Sequence, residues 1–470
     1  MKIWKWSLWF SCILFSTASG HSASQMLLGA AKVDITPDSA IWLSGYGARY
    51  SMATNAGQRL WAKALAIGSD ADSPALFLTV DNCGVSVEIT EALAARLFKK
   101  FRIPRDHIVL CSTHTHTAPC LSGVLPNLFS RDFTPDELAA IGNYTKIFLD
   151  RLELAATSAL KHRNPGNLSW AQTTAGFAKN RRTVNGPVDQ ALPVLKAEDT
   201  QGNLLAVVAA YACHCTTLGS EYNQFHGDWA GEAGAQIERE HPGAVALISI
   251  GCGADANPDP RGKPENARQH GAEIAAGVDK LLSGKFTSLA QGPTGRFKRI
   301  ELPFSELPTR EQWQERAKEK GIVGYHARKN LARLDNGEQL PTKLPYAVQT
   351  WVFGDKLAMI FLAGEVVVDY SLRLKRDFDP AKLWVNGYAN EVPCYIPSSR
   401  ILQEGGYEAE TSLWYYDRPA RLDPTTEDLI VSTVHELMPA QFKVDPKQSP
   451  LPPPQSPSES LSSLRVTPGY

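Results

Sequence analysis

Ile108-Val109-Leu110-Cys111-Ser112-Thr113-His114-Thr115-His116-Thr117-Ala118-Pro119 begins as an apolar, β-branched run and ends in two imidazoles one residue apart. The run reads as a strand, His107–Ser112. Residues i and i+2 of a strand share a face, so this reading has both imidazoles projecting the same way from its end. Upstream, Glu88–Phe101 carries helical spacing and Ala75–Val80 reads as another strand. The same alternation recurs in Leu204–Ala212, Trp229–Glu240 and Val245–Ile250. Leu27–Pro37 predicts an early strand ending in a Pro turn, and Ala347–Phe353 and Leu357–Leu362 predict two late strands. Further helices are predicted at Pro135–Lys161, Glu265–Leu282, Arg310–Leu334 and Thr425–Leu437. Thr134 with Glu137 three residues on is a capping-box pattern for the first of these. Strands alternating with helices predict an α/β architecture. Ser283–Pro303 changes character, with Gly, Pro and an apolar-polar alternation, and reads as an insertion or a lobe boundary.

The chain has 470 residues, 43% hydrophobic and 21% charged, with a formal net charge of −1. That length suffices for a large core, and no dense Lys/Arg stripe suggests a nucleic-acid partner. Lys2 and Lys5, then the apolar run Leu8–Phe15, then small residues around Ala18–Gly20 and Ser22–Ser24 read as a secretory signal peptide over residues 1–24. The apolar run is too short to span a bilayer, which takes about 20 residues. Cleavage there would make the protein secreted or periplasmic. From about Pro446 to Tyr470 the chain is Pro/Ser-rich, a composition that predicts disorder. Residues 25–445 remain as the folded body. Seven cysteines lie beyond the leader: Cys83, Cys111, Cys120, Cys213, Cys215, Cys252 and Cys394. An odd count leaves at least one unpaired thiol in a monomer. Small buried residues packing around a site are expected, rather than thiolate ligands.

Other segments could carry chemistry. Tyr211–Gly219, with His214 between two cysteines, follows a buried-looking strand, and strand ends in α/β sheets are where sites gather. His226-Gly227-Asp228-Trp229 opens a helix, with Asp228 a candidate N-cap. Ser249-Ile250-Gly251-Cys252-Gly253-Ala254-Asp255 is a Gly-rich turn directly after a strand. Glu365 follows Leu357–Leu362 and could be an anionic ligand or a residue favoured by a helix dipole. Tyr388, Tyr395 and Tyr407 lie in loops, where a phenol beside a metal can ligate it or donate to an oxyanion.

In this order, the segments resemble the N-terminal catalytic domain of the neutral/alkaline, non-lysosomal ceramidases. The motifs that carry the resemblance are Asp34-Ile35-Thr36-Pro37 with Gly45-Tyr46-Gly47, the Thr-His-Thr-His run, Asn180-Arg181-Arg182, Cys213-His214, the Asp228 segment, the Asp255 turn, Gly364-Glu365 and the late tyrosines. The resemblance implies mixed sheets flanked by helices and one Zn2+ held by His114, His214, Glu365 and Tyr395. It places His116, Arg181 and Tyr407 at the reacting amide. The implied activity is hydrolysis of an N-acyl amide bond by metal-activated water. A ceramide-like (N-acylsphingosine) lipid is the first expected substrate, which allows a transient contact with a membrane surface. A non-ceramide amide or ester, or ligand binding without turnover, are the alternatives. Two departures stand out. Gly251 occupies the position the resemblance gives to a serine, with Ser249 two residues upstream. A Pro/Ser tail also stands where those enzymes carry a C-terminal β-sandwich domain.

Overall fold

The computed structural model describes residues 26–444; the predicted signal peptide and the Pro/Ser tail lie outside them. In chain order the strands are β1 (Met26–Asp34), β2 (Trp61–Ile67), β3 (Ala75–Val80), β4 (Ile108–Ser112), β5 (Asn164–Thr174), β6 (Ala178–Asn180), β7 (Ala191–Asp199), β8 (Leu204–Tyr211) and β9 (Val245–Ile250). They continue with β10 (Ala256–Pro258), β11 (Thr287–Leu289), β12 (Thr294–Pro303), β13 (Lys343–Phe353), β14 (Leu357–Leu362), β15 (Glu365–Val366), β16 (Leu383–Asn386) and β17 (Tyr395–Ile396).

Nine strands form one mixed sheet in the order β4-β3-β2-β1-β5-β7-β8-β9, with β11 also on β5. Its parallel pairs are β3–β4 and β8–β9. Each parallel pair needs a crossover, and the helices Val87–Phe101 and Asp228–Glu240 supply them. A second sheet, β12-β13-β14-β16, packs on one face of the first. Strand alternation makes this possible. Leu65, Ile67 and Phe77 of the large sheet join Trp351, Phe361 and Trp384 of the small one in a single apolar cluster. Ala62, Ala64, Leu76 and Leu78 point the other way, toward the helices Val87–Phe101 and Pro135–Lys161. The result is an α/β structure of mixed sheets flanked by helices.

The two parallel ends of the large sheet are brought together by one segment. Gly387 donates its N–H to Ile250 at the tip of β9, while Tyr388 and Asn390 pair with Ser112 and Leu110 of β4. The carboxyl ends of β4, β8 and β9 therefore open into the same space.

Most predicted elements are present, Thr134 with its capping box included. Three expectations need correction. Arg310–Leu334 is two helices, Arg310–Arg316 and Gly321–Asp335, with Gly321 at φ +65° opening the second. The break folds Trp313 onto Ala327 and Leu340. Ser283–Pro303 holds two strands, β11 completing the first sheet and β12 opening the second. Finally, β4 ends at Ser112, so His114 and His116 lie in the loop beyond it, with His114 at φ +58°.

Candidate metal centre

The Thr-His-Thr-His-Thr loop keeps a two-residue alternation without being a strand. Thr115 and Thr117 both donate their hydroxyls to the His226 carbonyl, at 2.8 and 2.6 Å. That turns the histidines to the opposite side, where His114 Nε2 and His116 Nε2 lie 3.1 Å apart. His214 arrives from the end of β8, its Nε2 3.2 Å from that of His114. Glu365, just past β14, brings Oε2 to 3.0 Å from His114 Nε2 and 3.1 Å from His214 Nε2. Tyr395 Oη is 3.2 Å from His214 Nε2, and β15–β17 pairing fixes Tyr395 directly opposite Glu365. The four groups are buried: His114, His214, Glu365 and Tyr395 are at most 3% exposed.

Whether a cation fits here turns on where the protons are. His114 Nδ1 donates to the Cys83 carbonyl at 2.6 Å, and His214 Nδ1 donates to the Gly253 carbonyl at 3.1 Å. In their neutral forms both Nε2 atoms then present lone pairs, a second-shell pattern usual for zinc-ligating imidazoles. Glu365 Oε2 faces these two nitrogens, at 3.0 and 3.1 Å. With both imidazoles neutral, three acceptors face one another at about ligand–ligand spacing for a tetrahedral ion with bonds of about 2.0–2.2 Å. Burial alone would keep His114 neutral, yet the Glu365 carboxylate raises its pKa to about 10. The bare cluster therefore calls for positive charge at its centre. Burial holds His214 at about 4, neutral as a ligand must be. These residues are compatible with a bound metal ion.

Around the cluster sit the other residues singled out by the sequence. His116 is the most exposed of the three imidazoles, at 9%, and its ring meets Tyr46 edge-on at 4.7 Å. Arg181 follows β6 and reaches Tyr395 Oη with Nη2 at 3.2 Å. Its guanidinium also lies 5.4 Å from the Tyr407 ring centre, and Tyr407 packs on Tyr395 at 5.4 Å between centroids. All seven predicted residues therefore occupy one region.

Several neighbours went unremarked in the sequence. Glu408 accepts from Arg181 Nε at 2.8 Å and from Arg182, fixing the plane of the Arg181 side chain. Tyr416 donates to Glu365 Oε1. Arg49 donates to the His116 carbonyl at 2.9 Å. Adjacency to Tyr407 was a cue for Glu408; nothing local marks Tyr416 or Arg49.

Asp228 is no simple N-cap. Its carboxylate accepts from the backbone N–H groups of Thr217, Leu218 and Trp229, and so ties down the loop after His214. Asp255 likewise joins Asn180 to the Val368 N–H, and burial pushes its carboxyl up to about 6. A side chain at Gly251 would meet Ala212 Cβ at 3.0 Å, so that position faces the end of β8. Ser249 is engaged with Asn386 at 2.9 Å. All seven described cysteines are buried and unpaired. Cys213 and Cys215 are kept protonated by burial; Cys83 Sγ comes within 3.9 Å of His114 Nδ1.

Gly45 sits at φ +89°, and a Cβ there would fall 2.3 Å from His116 Cγ. Gly45→Ala should therefore displace His116 and lower activity at least about 10-fold while the protein still folds. Activity and a thermal melt on the same sample check this. An unchanged rate would show that His116 placement is unimportant.

Residues 26–249 match the sequence model of a family described as neutral/alkaline non-lysosomal ceramidase, N-terminal. The chain is 24% identical over 309 residues to a neutral ceramidase of Drosophila pseudoobscura pseudoobscura, an alignment covering 60% of this chain and 42% of that protein. It is 26% identical over 277 residues to neutral ceramidase B of Dictyostelium discoideum, covering 52% of this chain and 37% of that one. The chain thus spans about two fifths of the length of these curated relatives. The crystal structure of neutral ceramidase from Pseudomonas aeruginosa superposes with a TM-score of 0.70 at 18% identity, covering 90% of this chain and 76% of that one. A structure described as ceramidase complexed with C2 gives 0.68 at 16% identity, over 90% of this chain and 78% of that one. At these identities the superpositions establish a shared fold.

Proposed function

We infer that this chain, a relative of the neutral/alkaline non-lysosomal ceramidases, is a zinc-dependent hydrolase that cleaves an N-acyl amide bond of a ceramide-like lipid. The observation that carries the reading is the meeting of two imidazole Nε2 atoms and a buried carboxylate oxygen within 3.2 Å of one another. His114, His214, Glu365 and Tyr395 are the residues that would hold the ion. When bound, zinc supplies Lewis acidity, lowering the pKa of a water ligand toward about 7 and polarising the scissile carbonyl.

The chain's own groups account for the rest. Arg181 presents a fixed guanidinium edge beside Tyr395, where negative charge on a tetrahedral carbon's oxygen can be met. Tyr407 packs its ring against the same guanidinium, at 5.4 Å, and is the second phenol proposed to serve the reacting amide. His116 is held neutral by burial and by the neighbouring imidazoles, so it can take a proton from the attacking water and then pass that proton to the leaving amine. The near-complete burial of the ligands excludes bulk water, which strengthens each of these interactions.

The leader-like residues 1–24 support export, so the proposed setting is secreted or periplasmic, with residues 25–445 as the hydrolase domain. Among the described residues no helix is long and apolar enough to cross a membrane. A lipid substrate would be met by transient contact with a membrane surface.

The test is an assay of the purified protein against ceramides and short-chain N-acyl amines, before and after chelation and after return of zinc. The expected result is ceramide turnover that disappears on chelation and recovers with zinc. Turnover of short amides alone would overturn the lipid assignment. Turnover that survives chelation would overturn the metal's role.

A further inference from the structure

The two oxygens of Glu365 live in different surroundings. Oε1 accepts a hydrogen bond from Tyr416 Oη. Oε2 faces both Nε2 atoms, at 3.0 and 3.1 Å. Tyr416 itself is 4% exposed, sits at the end of the short helix Ser412–Tyr415, and lies edge-on to Tyr395 with centroids 6.4 Å apart. Its hydroxyl therefore approaches the carboxylate from the side away from the imidazoles.

We propose that Tyr416 is a positioning residue that occupies Glu365 Oε1 and so commits the carboxylate to bind the metal through Oε2 alone. This rests on the metal reading of the preceding section. The consequence concerns the number of donors. His114 Nε2, His214 Nε2, Glu365 Oε2 and Tyr395 Oη already offer the four donors that zinc ordinarily takes. A carboxylate free to turn would add Oε1 as a fifth donor and fill the position that water or the scissile carbonyl must use. A phenol on Oε1 prevents that, and it leaves the negative charge of Glu365 in place to balance the cation. Second-shell partners of this kind are worth about 10–100-fold in metal affinity or activity.

The experiment compares cobalt-loaded wild-type protein with Tyr416→Phe, which removes one hydroxyl and keeps the ring. Cobalt reports coordination number through the intensity of its visible bands. The expected result is a weaker visible band in Tyr416→Phe, from added carboxylate coordination, with kcat down about 10–100-fold and the melting temperature nearly unchanged. As a second measurement that needs no folded Tyr416 variant, the infrared carboxylate bands of zinc-loaded wild type minus Glu365→Gln should show the wide splitting of a one-oxygen ligand. Matching cobalt spectra for wild type and Tyr416→Phe, or a narrow two-oxygen splitting in wild type, would overturn the role of Tyr416 and leave the metal centre standing. Failure of wild type to take up cobalt or zinc would overturn both.

Discussion

Glu365→Gln is expected to empty the proposed metal centre and to lower the proposed amide hydrolysis by roughly 10³-fold or more. The substitution keeps the shape of the side chain and deletes its charge. Glu365 is 2% exposed, and its Oε2 stands between the two Nε2 lone pairs. Without that charge nothing in the cluster balances a divalent ion in a water-poor site. Tyr416 can still donate to the amide oxygen, so the fold should persist. The comparison variant is His162→Ala, because His162 is exposed and its ring contact is to the carbonyl of Ser158, one turn back on its own helix. Metal content by elemental analysis and initial rates on both proteins provide the check. Full metal content and near-normal rates in Glu365→Gln would remove the carboxylate from the ligand set.

Arg181→Ala should cost about 10²–10³-fold in kcat, the usual loss when one fixed donor to a developing oxyanion is removed. Metal content should not change, since the proposed role of the guanidinium is to meet charge beside the proposed ligands and not to bind the ion. Arg181→Lys should fail to restore the rate. The native side chain uses two edges at once, Nε on Glu408 and Nη2 on Tyr395 Oη, and an ammonium cannot hold that fork. Steady-state kinetics with metal analysis decide the matter. A loss confined to KM would mean that Arg181 only binds substrate, and a wild-type rate in the lysine variant would mean that charge alone suffices.

The parts of the fold legible in the sequence are those where local pattern and tertiary fate agree. Ala75–Val80, Val245–Ile250 and Leu357–Leu362 are short apolar runs bounded by turns, and each is a strand over the predicted residues. Pro135–Lys161 announces itself through its capping box. Strand β2 gives no such signal: Trp61-Ala62-Lys63-Ala64-Leu65-Ala66-Ile67 is alanine-rich and favours a helix locally. It is a strand because its small residues let the helices pack closely on one face while Leu65 and Ile67 enter the core between the sheets. Strand β5 hides behind Asn164-Pro165-Gly166, although its buried positions alternate once the sheet is formed.

The site divides in the same manner. His114 and His214 follow apolar strands and could be picked out as strand-end groups. A loop pinned at the His226 carbonyl, and not strand geometry, sets the pairing of His114 with His116. Arg181, Tyr395 and Tyr407 were named through motif order and not through any local property. Tyr416 and Glu408 reach the site only through tertiary placement; Tyr416 lies 51 residues from the carboxylate it touches. No sequence period encodes such a contact.

The central claim is that one divalent cation sits among His114, His214, Glu365 and Tyr395. X-ray absorption at the zinc edge of the purified, full-length protein tests it most directly. The predicted spectrum shows a shell of nitrogen and oxygen only, at about 2.0–2.2 Å, with imidazole scattering beyond it. A sulfur shell at about 2.3 Å would move the ion toward Cys83, and a protein that purifies without metal and gains none from added zinc would contradict the claim altogether.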